Sequence, residues 1–537
     1  MVSAPPEQQP ATRPGDADPF ADLDVFAALP RVAGLALSPD GSRLVVGVAT
    51  LRPDGTGRGT ALWQVDPRGQ AEPRRLTRSS EGESAAAFAC DGSLLFTSTR
   101  PVPPGALLSR AAEDAPERPG GAKPDPEPPL PALWQLPLTG EARPVAARPG
   151  GITAVHPAAD VPVFAVVSPT LTDAGDAADD QRRRTARATG KVSAILHTGY
   201  PVRYWDADLG PAGDRLLLAT LPGEDTTATL RDLTPDAGVH ALREATVSVI
   251  PDGSGVVCDW RVAEAHGASR QSVVVFDGAS GQRRTLLDGA AADPAAVVDH
   301  HDPAVSPTGA LVAAIRETRS DADNPGDLGL ELVPLAGDGP PVRLAAGWDR
   351  WPHSVPVWAH DAAALFVTAD SDGAGPIFRV SLDPTAPPVR LTGDDASYSD
   401  VVVARDGSAI YALRSTWDAP PHRSVWTPRT RTSPRSCWAV RRRPPRCPAG
   451  WSFWTRCRPP TVPVELAAGV ARRRGRQPPG TAGAVGARRA AGQLERLELA
   501  LDAVAAGRAG IRRAAARSRP FHRVRARLRP PRLGPLG

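Results

Sequence analysis

The sequence has few methionines, few cysteines and no long apolar run. Its 537 residues include one methionine and five cysteines, and no stretch of about 18 consecutive apolar residues occurs, which excludes a transmembrane helix. The segment 1–18 is rich in proline and lacks the apolar core of a signal peptide. These absences predict a cytoplasmic protein.

The cysteines do not form a metal-binding or disulfide pattern. Nine residues separate each neighbouring pair of the last three, Cys437, Cys447 and Cys457, whereas zinc-binding pairs are usually separated by two to four. Cys90 and Cys258 stand alone. We therefore expect free thiols, no metal and no cofactor.

Proline and glycine, in contrast, are abundant. The 60 prolines and 50 glycines, with a hydrophobic fraction of 41%, favour a folded all-β protein with many turns over a helix bundle. The stretch from Leu35 to Val46 has the pattern of a strand, a tight turn and a second strand. Pro39 presets the backbone for the turn, Asp40 can bond the following backbone, and Gly41 accepts a positive φ.

Similar copies of this turn recur along the chain, centred on residues 40, 91, 213, 252, 308, 361 and 406, with a looser copy from His156 to Val167. Apart from one gap of 122 residues, which the looser copy divides, they lie 39 to 56 residues apart. In a β-propeller each blade is one four-stranded sheet, and blades repeat along the chain at intervals of about this length. A recurring Arg-Leu-Thr at the end of a strand, as in Arg75 to Thr77 and Arg390 to Thr392, also indicates repeats. The sequence predicts a seven- or eight-bladed β-propeller.

Two segments interrupt the period. Pro101 to Pro131 has the composition of a surface loop. Residues 169–210 contain a charged stretch, Asp173 to Lys191, that could form a short helix, and then a dense aromatic and basic stretch. This second stretch predicts a substrate or interface surface made of His197, Tyr200, Arg203, Tyr204, Trp205 and Asp206. The alternative is that Tyr200, Tyr204 and Trp205 fill the groove between two blades.

Two further motifs have the residue types of ion sites. Asp299 to Asp302 reads Asp-His-His-Asp, but neighbours on a strand face opposite sides, so a polar blade edge is the better interpretation. Asp370 to Gly373 resembles the start of a calcium loop without the required glutamate, which favours a hairpin turn.

Three stretches carry a family resemblance: Asp18-Pro-Phe-Ala-Asp-Leu23, the turn from Leu35 to Ser42, and His197-Thr-Gly-Tyr-Pro-Val-Arg-Tyr-Trp-Asp206. Over about residues 18–421, the chain resembles the N-terminal propeller of prolyl oligopeptidase-family serine peptidases, near the acylaminoacyl-peptidase branch. In that family the propeller caps an α/β-hydrolase domain and excludes folded chains. The resemblance implies hydrolysis of short peptides by a Ser-Asp-His triad.

The motif that this chemistry requires is missing. No serine lies in a Gly-x-Ser-x-Gly nucleophile elbow; Gly82 to Ala86 is a partial match in a predicted strand. His422 and His522 have surroundings unlike those of a triad histidine. We therefore expect no catalytic residue in this chain.

The composition changes abruptly after residue 421. The segment 422–537 contains many arginines, no lysine and only four acidic residues, whereas residues 1–421 carry a net negative charge. Its tryptophans and arginines could bind nucleic acid, and a one-signed charge without apolar periodicity also fits disorder. A third interpretation is a hydrolase domain read in a shifted frame. Codons for Gly492 to Val504 can be chosen so that a one-base shift gives Gly-Ser-Trp-Asn-Ala-Trp-Ser-Trp-Arg-Trp-Thr-Pro-Trp, similar to the Trp-rich segment after the family's oxyanion loop.

The sequence thus predicts a disordered N-terminus (1–18), a propeller (19–421) and a mostly disordered, aberrant Arg-rich tail (422–537) in place of a hydrolase domain. The leading hypothesis is a peptidase propeller that is catalytically inactive as written. The alternative is a non-catalytic propeller that binds proteins or peptides. The expected partners are peptides or a hydrolase domain absent from this chain, rather than a membrane or a nucleic acid.

Overall fold

The chain folds as an all-β propeller. The computed structural model describes residues 23–80, 82–102, 130–197, 201–204, 207–224, 226–293, 296–416, 419–427 and 439–440. The predicted N-terminal disorder, most of the Pro101 to Pro131 loop and most of the tail from 422 lie outside these ranges. None of the described helices is both long and apolar enough to cross a membrane.

The strands form four-stranded antiparallel sheets, most of them built from four consecutive strands. The first sheet contains β1 (Arg31–Leu37), β2 (Leu44–Leu51), β3 (Arg58–Val65) and β4 (Arg74–Arg75), and the second contains β5 (Glu83–Phe88), β6 (Leu94–Ser98), β7 (Ala132–Leu136) and β8 (Arg143–Ala146). The third contains β9 (Ala154–Pro157), β10 (Val163–Leu171), β13 (Ala212–Thr220) and β14 (Arg231–Asp232). Helix α1 (Leu23–Ala28) precedes the first sheet.

The remaining sheets follow in chain order. The fourth contains β15 (Val247–Val249), β16 (Gly255–Ala263), β17 (Ser269–Asp277) and β18 (Arg283–Leu287), and the fifth contains β19 (Val298–Val305), β20 (Leu311–Thr318), β21 (Leu328–Pro334) and β22 (Val342–Leu344). The sixth contains β23 (Val357–Trp358), β24 (Ala364–Thr368), β25 (Ile377–Ser381) and β26 (Val389–Arg390). The last contains β27 (Ser397–Val403), β28 (Ile410–Thr416), β29 (Ala419–Thr427) and β30 (Ala439–Val440).

Six blades are described with nearly all of their side chains, whereas only the backbone is described for β29 and β30 of the last sheet. The structure therefore supports six blades, and the number of seven or eight blades stays a prediction. The boundary predicted after residue 421 falls inside β29, which pairs with β28 as far as Trp426.

Apolar side chains fill the space between neighbouring sheets. Between the third and fourth sheets, for example, Leu216 packs in one buried cluster with Val256 and Phe276. Between the first and last sheets, Leu44 packs with Ala409 and Tyr411. The sheets therefore close into a ring through side-chain packing.

All but one of the repeated turns connect the first two strands of their sheets. In the turn between β1 and β2, the Asp40 carboxylate accepts a hydrogen bond from the Ser42 backbone N–H at 3.0 Å, and Gly41 has a φ of +69°. The Ser38 hydroxyl also donates to this carboxylate. Its hydrogen bond, followed by those from Ser42, lowers the pKa of Asp40 to about 2. As the sequence suggested, Asp40 is favoured here because its side chain bonds the following backbone, and Gly41 is favoured because it adopts a positive φ.

One repeat was assigned wrongly from the sequence. The copy at residue 213 begins β13, the third strand of its sheet, and the looser copy from His156 to Val167 contains the turn between β9 and β10. Both copies therefore belong to the same blade. The error arose because 40 residues, 172–211, separate the second and third strands of this sheet and imitate a blade boundary.

The threonine of the Arg-Leu-Thr motif, which is Asp-Leu-Thr at Thr234, joins the end of the fourth strand of a blade to the third strand. Leu62, Leu216 and Ile377 each donate their backbone N–H to a threonine hydroxyl, of Thr77 at 2.9 Å, Thr234 at 2.9 Å and Thr392 at 3.1 Å respectively. Each also accepts a backbone hydrogen bond from the leucine that precedes the threonine. The three threonines are buried, so the hydroxyl satisfies an N–H that water does not reach.

We predict that Thr392→Val destabilises the propeller, because the isosteric side chain leaves the buried Ile377 N–H without its acceptor. The expected cost is about 1–3 kcal/mol in the free energy of unfolding, measured by urea denaturation. Thr285→Val removes a hydroxyl from an exposed position of β18 and serves as the control, with a much smaller change. Equal changes in the two variants would contradict the role assigned to the motif.

Candidate functional site

The third blade carries an insertion, residues 172–211, between β10 and β13. Its first part is helix α2 (Ala177–Thr189), which confirms the helix predicted from the charged stretch. Asp176 caps the helix by accepting a hydrogen bond from the Asp179 N–H at 2.7 Å. Acidic residues in the first turn and Arg187 in the last turn match the helix dipole. A short hairpin follows, with β11 (Arg203–Tyr204) paired to β12 (Ala207–Asp208).

A buried carboxylate attaches helix α2 to the sheet. Asp180 has no exposed surface, and its Oδ1 accepts hydrogen bonds from the Leu171 N–H and from Arg184 Nε, both at 3.1 Å. Arg184 also donates to the Pro169 carbonyl at 2.9 Å. The end of β10 and the helix are therefore held together by one charged hydrogen-bond network.

A buried arginine fixes the start of the insertion. Arg215 on β13 is 2% exposed, forms an ion pair with Asp232 at 3.0 Å, and donates to the carbonyls of Thr172 and Ala174 at 3.4 and 3.5 Å. Arg215 therefore holds the segment before helix α2 against β13, and Asp180 holds the first half of the helix against the end of β10, so the blade orients the insertion.

The predicted site residues lie on this insertion, but only part of the set is described. His197 is exposed. Arg203 forms an exposed ion pair with Asp208 at 2.8 Å, and this arginine, with a smaller contribution from His197, lowers the pKa of Asp208. Tyr200, Trp205 and Asp206, and the side chain of Tyr204, lie outside the described residues. Both interpretations of the aromatic side chains therefore remain predictions.

The Asp-His-His-Asp stretch lies on β19, where its residues link the fourth and fifth sheets. Asp299 accepts from the Gln271 N–H at 2.7 Å, and His300 Nε2 lies 2.7 Å from Glu331. His301 lies on the other side, 3.5 Å from Glu317, so the two histidines separate as alternation predicted. A β-bulge between His301 and Ala304 then brings Asp302 to His301, at 3.2 Å.

Sequence reasoning missed a buried network around this bulge. Thr246 donates its hydroxyl to Asp302 at 2.6 Å and its N–H to Asp259 at 2.9 Å. Burial, and then the charge of Asp302, raise the pKa of Asp259 to about 7. Burial alone would lower the pKa of His301, but the neighbouring carboxylates of Asp302 and Glu317 outweigh it and raise the pKa to about 10. His301 is therefore a cation at neutral pH, held by carboxylates of the fifth sheet next to the fourth.

The two motifs with residue types of ion sites have different surroundings in the structure. Within the described ranges, no group of three or more His, Cys, Asp or Glu side chains has the geometry to hold a metal ion. Ser371 and Ala374 exchange backbone hydrogen bonds across Asp372 and Gly373, which both have positive φ, as expected for a hairpin turn.

The partial nucleophile elbow is also structural. Ser84 lies on β5, and its hydroxyl hydrogen-bonds to the hydroxyl of Thr97 at 2.9 Å. The neighbouring Glu83 is buried, accepts from Thr77 at 2.7 Å and pairs with Arg100 at 2.6 Å. This segment therefore joins the first two blades and does not have the strand-to-helix turn of a nucleophile elbow.

These features define the class of the protein: a β-propeller with a structured insertion in its third blade. No protein-family model matches the chain, and no curated protein matches it. Among solved structures, the acylaminoacyl peptidase of Pyrococcus horikoshii is similar at 9% identity and a TM-score of 0.50, over 75% of this chain and 52% of that chain. The propeller domain of the Trilobed protease from Pyrococcus furiosus is similar at 8% identity and a TM-score of 0.45, over 74% and 95%. This chain thus spans about half the length of the acylaminoacyl peptidase, and the likeness shows the propeller fold.

We predict that Asp180→Asn loosens the insertion from the blade. The substitution removes the charge that pairs with Arg184, and a hydrogen bond to a charged group contributes about 1.5–3 kcal/mol. Hydrogen exchange should therefore speed up across α2 and the end of β10. Asp179→Asn, which affects exposed pairs on the same helix, is the control and should change exchange much less. An Asp180→Asn variant with unaltered exchange would contradict the anchoring role.

We also predict that Asp259 makes the stability depend on pH. An unfolded aspartate has a pKa of about 3.9, so the folded state binds this proton more tightly. The stabilisation is complete below about pH 4 and is lost as the pH rises to about 7, by about 4 kcal/mol. Asp259→Asn should remove this loss. Denaturation at a series of pH values measures the difference between wild type and variant.

Asp323→Asn, at an exposed position, controls for the loss of one charge. Because His301, Asp302 and Glu317 also contribute to the pH profile, only the difference between wild type and Asp259→Asn is diagnostic. A difference that stays constant from pH 4 to pH 8 would show that Asp259 is not the titrating group.

Proposed function

We propose that this chain is the propeller portion of a prolyl oligopeptidase-family serine peptidase and is catalytically inactive as written. The observation that carries the proposal is the family's sequence pattern in His197 to Asp206, on a chain that has the propeller fold. The likeness in fold to the acylaminoacyl peptidase of Pyrococcus horikoshii supports it. The full sequence contains no Gly-x-Ser-x-Gly motif, and this supports the inactivity.

We further propose that a frameshift near residue 422 replaced the hydrolase domain. The abrupt change to an Arg-rich composition supports this, as does the Trp-rich sequence that one shifted frame permits for Gly492 to Val504. Resequencing the coding DNA around codons 415–430, together with the genomic DNA downstream, tests the proposal. An in-frame nucleophile elbow and triad histidine downstream would support it, and their absence from both shifted frames would refute it.

The second candidate function is a non-catalytic module that binds proteins or peptides. It is favoured by three exposed apolar side chains on the insertion, with Leu196 at 88%, Val192 at 48% and Val202 at 39% exposure. Apolar side chains grouped on one exposed segment are typical of a contact surface. Cytoplasmic localisation remains part of both proposals.

We predict that the purified chain does not react with a fluorophosphonate probe and does not hydrolyse chromogenic peptide or acyl-amino-acid substrates. The reason is that fluorophosphonates label serines activated by an adjacent base, and this sequence lacks the elbow that supports one. Gel fluorescence and mass spectrometry measure the labelling, with an active serine hydrolase as the positive control. Stoichiometric labelling of any serine in the native chain, absent after denaturation, would contradict the prediction.

A further inference from the structure

A pocket of about 580 Å³ lies between helix α2 and the third sheet. The volume lies within the range of small-molecule and peptide sites. Five apolar residues contribute to its walls. Leu130 precedes β7, Pro149 follows β8 and Leu171 ends β10, whereas Val192 and Pro211 lie at the two ends of the segment between α2 and β13. The pocket can therefore cover an apolar group from several sides.

Three cationic side chains also line the pocket. Arg184 and Arg187 are three residues apart on α2, so their side chains share one side of the helix. Lys191 follows the helix directly after Gly190 and lines the same pocket. Among the described residues that line the pocket, none is acidic. The pocket therefore favours an anionic group next to an apolar one.

The structure holds two of these cations in place before any ligand binds. Arg184 is fixed by Asp180 at 3.1 Å and by the Pro169 carbonyl at 2.9 Å. Arg187 donates to the Ala194 carbonyl at 3.0 Å. Asp180 offsets the charge of Arg184, which leaves Arg187 and Lys191 as the net positive charge of the pocket. Side chains that are already ordered lose less entropy when they bind a ligand.

We propose that this pocket binds the C-terminal end of a peptide whose last side chain is apolar. The terminal carboxylate lies against Arg187 and Lys191, and the last side chain packs on Leu130, Leu171 and Val192. A phosphate would meet the cations but leave the apolar walls uncovered, so a carboxylate on an apolar residue fits the whole lining better. The inference rests on the peptide-binding part of the proposed function and specifies the ligand's end and charge.

The backbone at Lys191 offers a substitution that separates binding from folding. Lys191 has a φ of +52° just after the helix, where Gly190 donates its N–H to the Ala186 carbonyl. Glycine adopts a positive φ without strain, so Lys191→Gly removes the charge at no cost in backbone conformation. Arg182→Gln is the matched control, because Arg182 is a 69% exposed cation of the same helix that pairs with Asp179 and does not line the pocket.

The test measures fluorescence anisotropy of the full chain with a fluorescein-labelled tetrapeptide ending in leucine. The same peptide with a C-terminal amide removes the carboxylate. We expect the acid to bind at least about tenfold more tightly than the amide, Lys191→Gly to lose about tenfold in affinity for the acid, and Arg182→Gln to bind like wild type. Thermal denaturation checks that both variants are folded.

Equal affinity for acid and amide, both unaffected by Lys191→Gly, would overturn the pocket assignment while leaving a peptide-binding function in place. No binding of either peptide at millimolar concentration would overturn both. Displacement of the acid peptide by equimolar inorganic phosphate would show a simple anion site and overturn the peptide assignment. Equal weakening by Lys191→Gly and Arg182→Gln would show non-specific attraction by helix α2, which also overturns it.

Discussion

The structure depends on burial of both faces of every sheet. A four-stranded blade has apolar side chains on two sides, so each blade is stable only between two neighbours. The first and last sheets meet this requirement through one another, because Leu44 packs with Ala409 and Tyr411 across the joint. If that joint opened, both end sheets would expose an apolar face to water.

Polar contacts between blades add direction to this packing. Apolar contact is non-directional, whereas the hydrogen bond from the Thr246 hydroxyl to Asp302 fixes the fourth sheet against the fifth at defined atoms. The insertion is also held by directional contacts, because Asp180 and Arg215 orient helix α2 on its blade through charged hydrogen bonds. The ring therefore acts as a scaffold, and the features that distinguish this propeller lie in the segment added to its third blade.

The sequence predicted local structure better than contacts between blades. The roles of Asp40 and Gly41 could be read from turn chemistry alone, and the Arg-Leu-Thr motif was visible as a repeat. The function of its threonine was not, because the partner N–H of Ile377 is 15 residues from Thr392. Strand alternation correctly separated His300 from His301, but a β-bulge, with Asp302 at a φ of +55°, depends on tertiary packing and has no reliable sequence signal.

The same distinction applies to the candidate site. The charged stretch predicted helix α2, but nothing in it singled out Asp180 over Asp179, since burial decides between two adjacent aspartates with the same chemistry. The pocket was not predicted either. Its lining joins Leu130, Leu171 and Pro211 to the helix, and segments so far apart in sequence meet only when the blade has formed.

The order of strands within the sheets has an evolutionary consequence. Most described sheets consist of four strands that follow one another in the chain. Among the described residues, side chains rather than a shared sheet make the joint between the first and last sheets. Duplication or deletion of a gene segment of about one repeat would therefore add or remove a whole blade without rethreading the others. Propellers built in this way can change their number of blades, and with it the width of the central channel, by recombination alone.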